Sequence, residues 1–393
     1  MKISNIKSRK ILNSRGKWTI EVTVKLENKF IGTASVPQGK SKGSLEAHYV
    51  SPEKAIKNIK GTILPYLKDK KIENQNELDK ILLDLDGTEN KCKLGANSIL
   101  GTSFAFAKAK AKSEEKQLWQ YLNKLLGENF QAKSPKLMVN MINGGSHAGN
   151  KLDFQEYLVI PQTNNIQESI KLSVDFYQNL KKHLLEKIGK EAINIGDEGG
   201  FAPPMENNLE PLEIFTEIAK KTDNQDKFIF AIDAAANEFE YSKEKLTETY
   251  LKMIKKFPFY SIEDPFKENE FLNFASLKQE IGDEVTIIGD DLTVTNAVKI
   301  EEAHNKSSVN GVIIKPNQIG TLTETVKSIK KAKKYNWKIV VSHRSGETND
   351  SFITDLAYAA GADAFKLGAP ARGERIAKYN RLLKIKNQLL TDN

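Results

Sequence analysis

Six short apolar runs in the second half of the chain each end on an ionisable residue: FIFAID at Asp233, FYSIE at Glu263, TIIGD at Asp290, GVIIK at Lys315, KIVVSH at His343 and AFK at Lys366. Strands of a parallel βα barrel deliver the residues at their carboxyl ends to a common mouth, so this pattern predicts that Asp233, Glu263 and Asp290 converge. Three carboxylates in one place repel one another, and the arrangement becomes tolerable with a divalent cation among them; an all-oxygen set suits Mg²⁺ or Mn²⁺ completed by water. A single such acid is better explained as a cap for the next helix or as a partner for a nearby lysine. Three in register favour the metal.

Lys315 and Lys366 end later strands of the same set. A lysine beside a second lysine and a metal has its cationic form disfavoured and is expected to serve as a neutral base; a simple counter-charge to the acids is the alternative for either one alone. With His343, Arg344 and Ser345 they form a cationic pocket for an anionic small molecule, and the Arg344 fork suits a carboxylate or a phosphate. Metal, base and anion clamp together indicate proton abstraction beside a carboxylate, with the metal stabilising the enediolate that forms. Glu156 ends an early strand segment, and Asp197 and Glu198 lie in a glycine-flanked loop where a carboxyl group can be held protonated to donate to a leaving hydroxide, or can simply form a turn or cap a helix. His147, inside GGSHAGN, has no evident core role and reads as functional, whereas His48, His183 and His304 sit in helical polar contexts expected at the surface.

These residues need a scaffold. The intervals between the six strand ends are 30, 27, 25, 28 and 23 residues, the length of a strand, a loop and a covering helix. Before Asp233 the order differs. Residues 137–142 and 154–160 read as two strands joined by a short loop, and two helical segments follow, the first with Ile166, Ile170, Val174, Tyr177, Leu184 and Ile188 on one face. The expected fold class is therefore α/β, a (βα)8-type barrel in the order ββαα(βα)6 over residues 134–393, preceded by a smaller N-terminal α+β domain over residues 1–126. In that first domain Ile20, Val22, Val24 and Leu26 alternate with polar residues as a strand, Glu27, Asn28 and Lys29 supply a turn, and residues 30–36 return. The segment 37–43 has two glycines and no apolar anchor and is expected to be a mobile lid. Helical periodicity then runs to residue 126, and residues 127–135 have linker composition.

Composition excludes several classes. The chain has 393 residues, 39% hydrophobic and 28% charged, which suits a folded soluble protein larger than a single core usually grows. No apolar run is long enough for a membrane helix and the opening segment lacks a signal peptide's apolar stretch, so a cytoplasmic location is expected. Cys92 is the sole cysteine, which rules out an internal disulfide and a thiolate zinc cluster. The net charge is +8, but even KSIKKAKK breaks its lysines at helical spacing, so a solvated helix face is a better reading than a nucleic-acid surface.

NGGSHAGNKLDFQE, GDEGGFAP, SIEDPF, GDDLTVTN, KPNQIGTLTET, SHRSGET and KLGAPARGERIAKYN, with a weaker match at RKILNSRG, resemble the signature segments of the enolase family, in its order and over almost the whole chain. The resemblance implies Mg²⁺-dependent, reversible dehydration of 2-phosphoglycerate to phosphoenolpyruvate in glycolysis and gluconeogenesis, with two Mg²⁺ per active site, the second arriving with substrate. It implies that Asp233, Glu263 and Asp290 hold the first Mg²⁺, that Lys315 removes the C2 proton, and that Glu198, assisted by Glu156, protonates the departing hydroxyl. It further implies substrate contacts from His147, Gln155, His343, Arg344, Ser345 and Lys366, a second-metal ligand at Ser41, and a homodimer or higher homo-oligomer. Two places depart from the family pattern. Gln38, Lys40 and Lys42 stand around Ser41 in the lid where the family usually reads SGAST, which predicts weaker second-metal affinity or altered closure, and residues 13–18 replace DSRGNP near the family's subunit contacts. The other readings are a paralogue acting on another phosphorylated or phosphonate acid, and a non-catalytic protein binding RNA or a surface ligand on the same fold.

Overall fold

The alternating opening segment becomes an antiparallel meander of β1 (Ile3–Leu12), β2 (Trp18–Leu26) and β3 (Ile31–Ser35) in the computed structural model, which describes residues 1–27, 29–40 and 43–391. Asn28 of the expected turn, and Ser41 and Lys42 of the expected lid, lie outside the described residues. Ile20, Val22, Val24 and Leu26 are fully buried on one face of β2, as a period of two requires. Helices α1 (Pro52–Asn58), α2 (Leu64–Leu67), α3 (Gln75–Asp86), α4 (Ala96–Ser113) and α5 (Leu118–Leu126) complete the unit.

Helix α4 is buried on nearly every side because it lies between the meander and the rest of the molecule. Its alanines permit a close approach: a Cβ on Gly32 of β3 would stand 2.0 Å from the Ala105 carbonyl oxygen. On the other flank Phe104 stacks on Phe352 with ring centroids 3.6 Å apart, and Lys108 pairs with Asp350 at 2.7 Å. This packing fixes the N-terminal unit over one end of the second unit.

That second unit runs β4 (Lys136–Asn143), β5 (Glu156–Pro161), α6 (Ile166–Lys187), α7 (Glu210–Lys221), β6 (Phe228–Asp233), α8 (Lys243–Lys256), β7 (Phe259–Glu263), α9 (Phe271–Ile281), β8 (Thr286–Gly289), α10 (Ala297–Asn305), β9 (Gly311–Ile314), α11 (Pro316–Ile319), α12 (Leu322–Lys334), β10 (Lys338–Ser342), α13 (Phe352–Ala359), β11 (Ala364–Lys366) and α14 (Gly373–Thr391). Among the described residues, eight strands close into a barrel in the order β10-β11-β4-β5-β6-β7-β8-β9. Strand β5 is antiparallel to both neighbours and the other pairings are parallel, which realises the ββαα(βα)6 order.

Met138, Leu158, Ile160, Ala231, Ile288, Ile313, Val340 and Ala364 form a separate buried cluster with members from most of the strands, which is the filling of the barrel. Alternation then decides where the ionisable residues go. Asp233, Asp290, Lys315 and Lys366 lie two positions beyond Ala231, Ile288, Ile313 and Ala364, so they share the inward face one layer higher.

Two local expectations need correction. On α6 the buried stripe is Ile166, Leu172, Phe176, Tyr177, Leu180 and Leu184, while Val174 is 36% exposed, because the packed face is centred about one residue away from the stripe first drawn. His183 lies on this buried side, 9% exposed, and is not a surface residue. His48 and His304 are exposed as expected, His304 stacking on Tyr335. Among the described residues no helix is long and apolar enough to cross a membrane.

Candidate active site

A narrow crevice opens at the barrel mouth and is lined by His147, Gln155, Glu156, Glu198, Asp290, Lys315, His343, Arg344, Ser345 and Lys366, with Gly39 and Glu46 contributed by the N-terminal unit. Asp233 and Glu263 end β6 and β7 beneath it, whereas Asp290, Lys315 and His343 each follow their strand by one residue. Glu156 arrives differently. It begins β5, and the reversed direction of that strand sets it opposite Asn143 at the end of β4 and Asp233 at the end of β6.

Lys366 stands among the acids. Its Nζ donates to Asp233 Oδ2 and Glu263 Oε2, each at 2.8 Å, and lies 3.0 Å from Glu156 Oε1. Gln155 adds a hydrogen bond from Nε2 to Asp233 Oδ2 at 3.2 Å. Asp290 is paired with Lys315, and its second oxygen accepts from Gln318 Nε2 at 2.9 Å. The Lys315 backbone is held in turn by Thr295, whose hydroxyl accepts from Lys315 N–H at 2.8 Å and donates to Gln318 Oε1 at 2.7 Å. That hydroxyl is presented by a turn in which Val294 and Thr295 have φ of 41° and 54°, conformations that cost about 1–3 kcal/mol for non-glycine residues and are retained only where surrounding contacts enforce them.

Glu198 faces two imidazoles, with His147 Nδ1 at 3.6 Å and His343 Nε2 at 3.7 Å from Oε1, and accepts from Asn140 Nδ2 at 2.9 Å on Oε2. Oxygens of Glu156 and Glu198 and a nitrogen of His147 lie within 4.8 Å of one another. Asp197, by contrast, turns away to pair with Arg15 at 3.0 Å. Arg344 extends both Nη atoms to Glu46, at 3.0 and 3.2 Å, and Gly39 packs so tightly on the guanidinium that a Cβ there would fall 1.9 Å from Nη2. Ser345 Oγ accepts from Lys40 N–H at 2.7 Å. The predicted lid is therefore docked over its described part, secured by the paired backbone bonds between Gln38 and Gly346 at 2.9 Å each.

The electrostatics follow from burial and charge count. Glu156, Glu198, Asp233, Glu263 and Asp290 surround two lysines, and each unscreened pair of like charges about 5 Å apart costs about 3 kcal/mol at an effective dielectric near 20. Burial and the neighbouring Asp233 push Glu263 up to about 8. Burial and the Glu198 charge push Glu156 well above the usual carboxylate range, as a second carboxylate this close requires. Burial also disfavours the Glu198 anion, but His147, His343 and Lys366 outweigh it and hold this carboxyl low. His343 is itself held neutral, well below the usual imidazole range, by burial and by Arg375, Lys366 and Lys378, so its help to Glu198 is that of a dipole.

Lys315 lies between opposing influences. Burial, Arg344 and Lys366 do push its ammonium down, but Asp290 and Glu263 outweigh them and hold it above the usual lysine value. The donor set fits a divalent cation: the carboxylates outnumber the lysines in a buried site, and Glu263 Oε1 and Glu156 Oε2 have no hydrogen-bond partner. Asp233, Glu263 and Asp290 are divided between Lys366 and Lys315, while Asp264, Asp290 and Asp291 bring ligand atoms within 4.8 Å of one another.

Several positioning groups escaped the sequence reading. Asp264, at φ 43°, accepts from the backbone N–H groups of Asp290 at 2.9 Å and Asp291 at 2.8 Å and so fixes the turn that presents Asp290. Arg375, fully buried at the start of α14, donates to the carbonyls of Arg344 at 2.8 Å and Ser345 at 2.9 Å. Glu46 has no periodic signal, and Arg375 in the first turn of a lysine-rich helix looks like a solvated residue. Asp264, next to Glu263, was discoverable from the paired acids in SIEDPF.

Comparison with known proteins covers both units. Residues 132–393 match the family model described as enolase, C-terminal TIM barrel domain, and residues 3–122 match enolase, N-terminal domain. The enolase of Methanopyrus kandleri is 40% identical over 414 aligned residues, spanning 99% of this chain and 96% of the relative. That of Methanocaldococcus jannaschii is 41% identical over 98% of this chain and 95% of its own length, and enolase B of Dictyostelium discoideum is 39% identical over 99% and 95%.

Proposed function

The chain belongs to the enolase family, a family of phosphopyruvate hydratases, and from that premise we propose how its own residues carry out the dehydration of 2-phosphoglycerate to phosphoenolpyruvate. The observation that carries the reading is one crevice holding a lysine, a close buried glutamate pair and an arginine and serine placed to clamp an anion. Lys315 takes the proton from C2, the electrons of that bond form the C2–C3 double bond, and the C3 hydroxyl leaves as water with a proton from Glu198, supplied through Glu156. Arg344 and Ser345 hold the phosphate, Lys366 helps to hold the carboxylate, and His147, Gln155 and His343 shape the site around the leaving group and the acids.

A divalent metal belongs to the family, and we assign it as Mg²⁺, two per site, with Asp233, Glu263 and Asp290 as the first set of ligands and Ser41 as a ligand to the second. Bound there, Mg²⁺ supplies positive charge to the substrate carboxylate as the C2 proton leaves. Lys315 would lose its proton more readily with a cation held by these carboxylates, because their charge would then be offset. We propose a cytoplasmic homodimer or higher homo-oligomer. Leu12 and Trp18, paired across β1 and β2 and 55% and 53% exposed, are apolar surface that such an assembly would cover.

The test is phosphoenolpyruvate formation from 2-phosphoglycerate, followed by ultraviolet absorbance, with Mg²⁺, with chelator, and in Lys315→Ala. Chelator-sensitive turnover that vanishes in Lys315→Ala is expected. Turnover that survives in the folded Lys315→Ala variant would remove Lys315 from its role.

A further inference from the structure

The mouth of the crevice is covered by two separate segments, and one side chain joins them. Gln38, Gly39 and Lys40 come from the N-terminal unit, while the loop between β4 and β5 comes from the barrel and carries Ser146 and His147. Lys40 is bound at both ends. Its backbone N–H donates to Ser345 Oγ at 2.7 Å, and its Nζ donates to the Ser146 carbonyl oxygen. From Ser146 the connection runs inward: Ser146 Oγ donates to Gln155 Oε1 at 3.3 Å, and Gln155 Nε2 donates to Asp233 Oδ2 at 3.2 Å. Lys40 and His147 also line a larger open cavity of about 940 Å³ on the outer side, so the contact stands where the crevice meets solvent.

We propose that Lys40 is a positioning residue for the dehydration, a latch that ties the 38–40 segment to the β4–β5 loop and through Ser146 and Gln155 holds Asp233 and the Ser345 clamp in register. This rests on the function proposed above. The physical case is that Lys40 is exposed, Ser146 is half-buried, and the other described hydrogen bonds of the 38–40 segment go to Gly346 and Ser345. A charged donor on a carbonyl is among the stronger hydrogen bonds, and one such bond sets the balance of an open and a closed cover when few other contacts do. An arginine retains the donor, whereas an alanine leaves the Ser146 carbonyl to water.

The experiment compares wild type, Lys40→Ala and Lys40→Arg, with Lys171→Ala, an exposed lysine on α6, as the control for losing a surface charge. Hydrogen–deuterium exchange of peptides spanning residues 36–47 and 144–155, measured without substrate, reads the latch independently of turnover. Steady-state kinetics with 2-phosphoglycerate reads its use. Lys40→Ala is expected to speed exchange in both peptides by about 5-fold and to raise KM by about 3- to 10-fold with kcat changed less than about 2-fold, the range of a modest coupling free energy. Lys40→Arg is expected to restore both readings, and the control to resemble wild type. Unchanged exchange in Lys40→Ala would overturn the latch, and faster exchange with unchanged KM would overturn its positioning role. A wild type that does not turn over 2-phosphoglycerate would count against the functional reading, and the exchange data would still decide the latch.

Discussion

Replacing Asp79 by asparagine isolates a pH-dependent weakness in the joint between the two units. Asp79 is fully buried on α3, and its Oδ2 accepts from the backbone N–H of Thr323 at 2.8 Å and from the Thr323 hydroxyl at 2.6 Å, at the start of α12. Oδ1 accepts from Gln75 Nε2 at 3.0 Å. No cation is among the groups that shift it, so burial dominates these hydrogen bonds and lifts its pKa from 3.8 to about 6. The folded-state value lies above the unfolded one, so this group's stabilising contribution is complete below the unfolded pKa and is lost as the pH rises through about 6. At 1.36 kcal/mol per pKa unit the full loss is about 3 kcal/mol, of which about 2 kcal/mol falls between about pH 4.5 and about pH 7.5.

Asparagine keeps an acceptor for Thr323 but cannot ionise. It brings its own cost, because its amide nitrogen meets the Gln75 nitrogen, which is also committed to Ser103. That cost does not vary with pH. Urea unfolding of both proteins across this range is therefore expected to show the variant gaining on wild type by about 2 kcal/mol as the pH rises, whatever the offset at the acid end. The difference between the two proteins cancels the other titrating groups. A stability difference that stays constant over the range would refute the reasoning and mean that Asp79 is ionised at no cost.

Gly39→Ala puts a Cβ against the Arg344 guanidinium and is expected to lower kcat/KM by about 10- to 100-fold, with circular dichroism unchanged, as a misplaced anion clamp requires. Arg375→Met removes the donors that hold the carbonyls of Arg344 and Ser345, and is expected to cost about 3 kcal/mol in urea unfolding as well as raising KM. Mg²⁺ is expected to raise the Tm of wild type, chelator to reverse the rise, and Glu263→Gln to abolish it, measured by scanning calorimetry without substrate. A rise that persists in Glu263→Gln would take Glu263 out of the ligand set.

The sequence by itself determined the barrel and the direction of its chemistry. A strand has a period of two, so an ionisable residue two positions beyond an inward apolar residue must also face inward, and Asp233, Asp290, Lys315 and Lys366 were legible for that reason. Their recurrence at βα spacing was enough to bring them to one mouth. Only the tertiary structure decided what they meet there. Glu156 reaches the site because β5 runs backwards, which no local pattern states. Lys366 lies amid three carboxylates and Lys315 lies on Asp290, pairings that strand periodicity alone does not specify. Glu46 and the Lys40 latch act across contacts between residues 298 and 106 positions apart in the chain, and Arg375 reaches back 31 positions across a strand and a helix. Periodicity records which face of an element is buried, while the partner across a long loop closure is chosen by packing, and that is why these groups became visible only in the folded molecule.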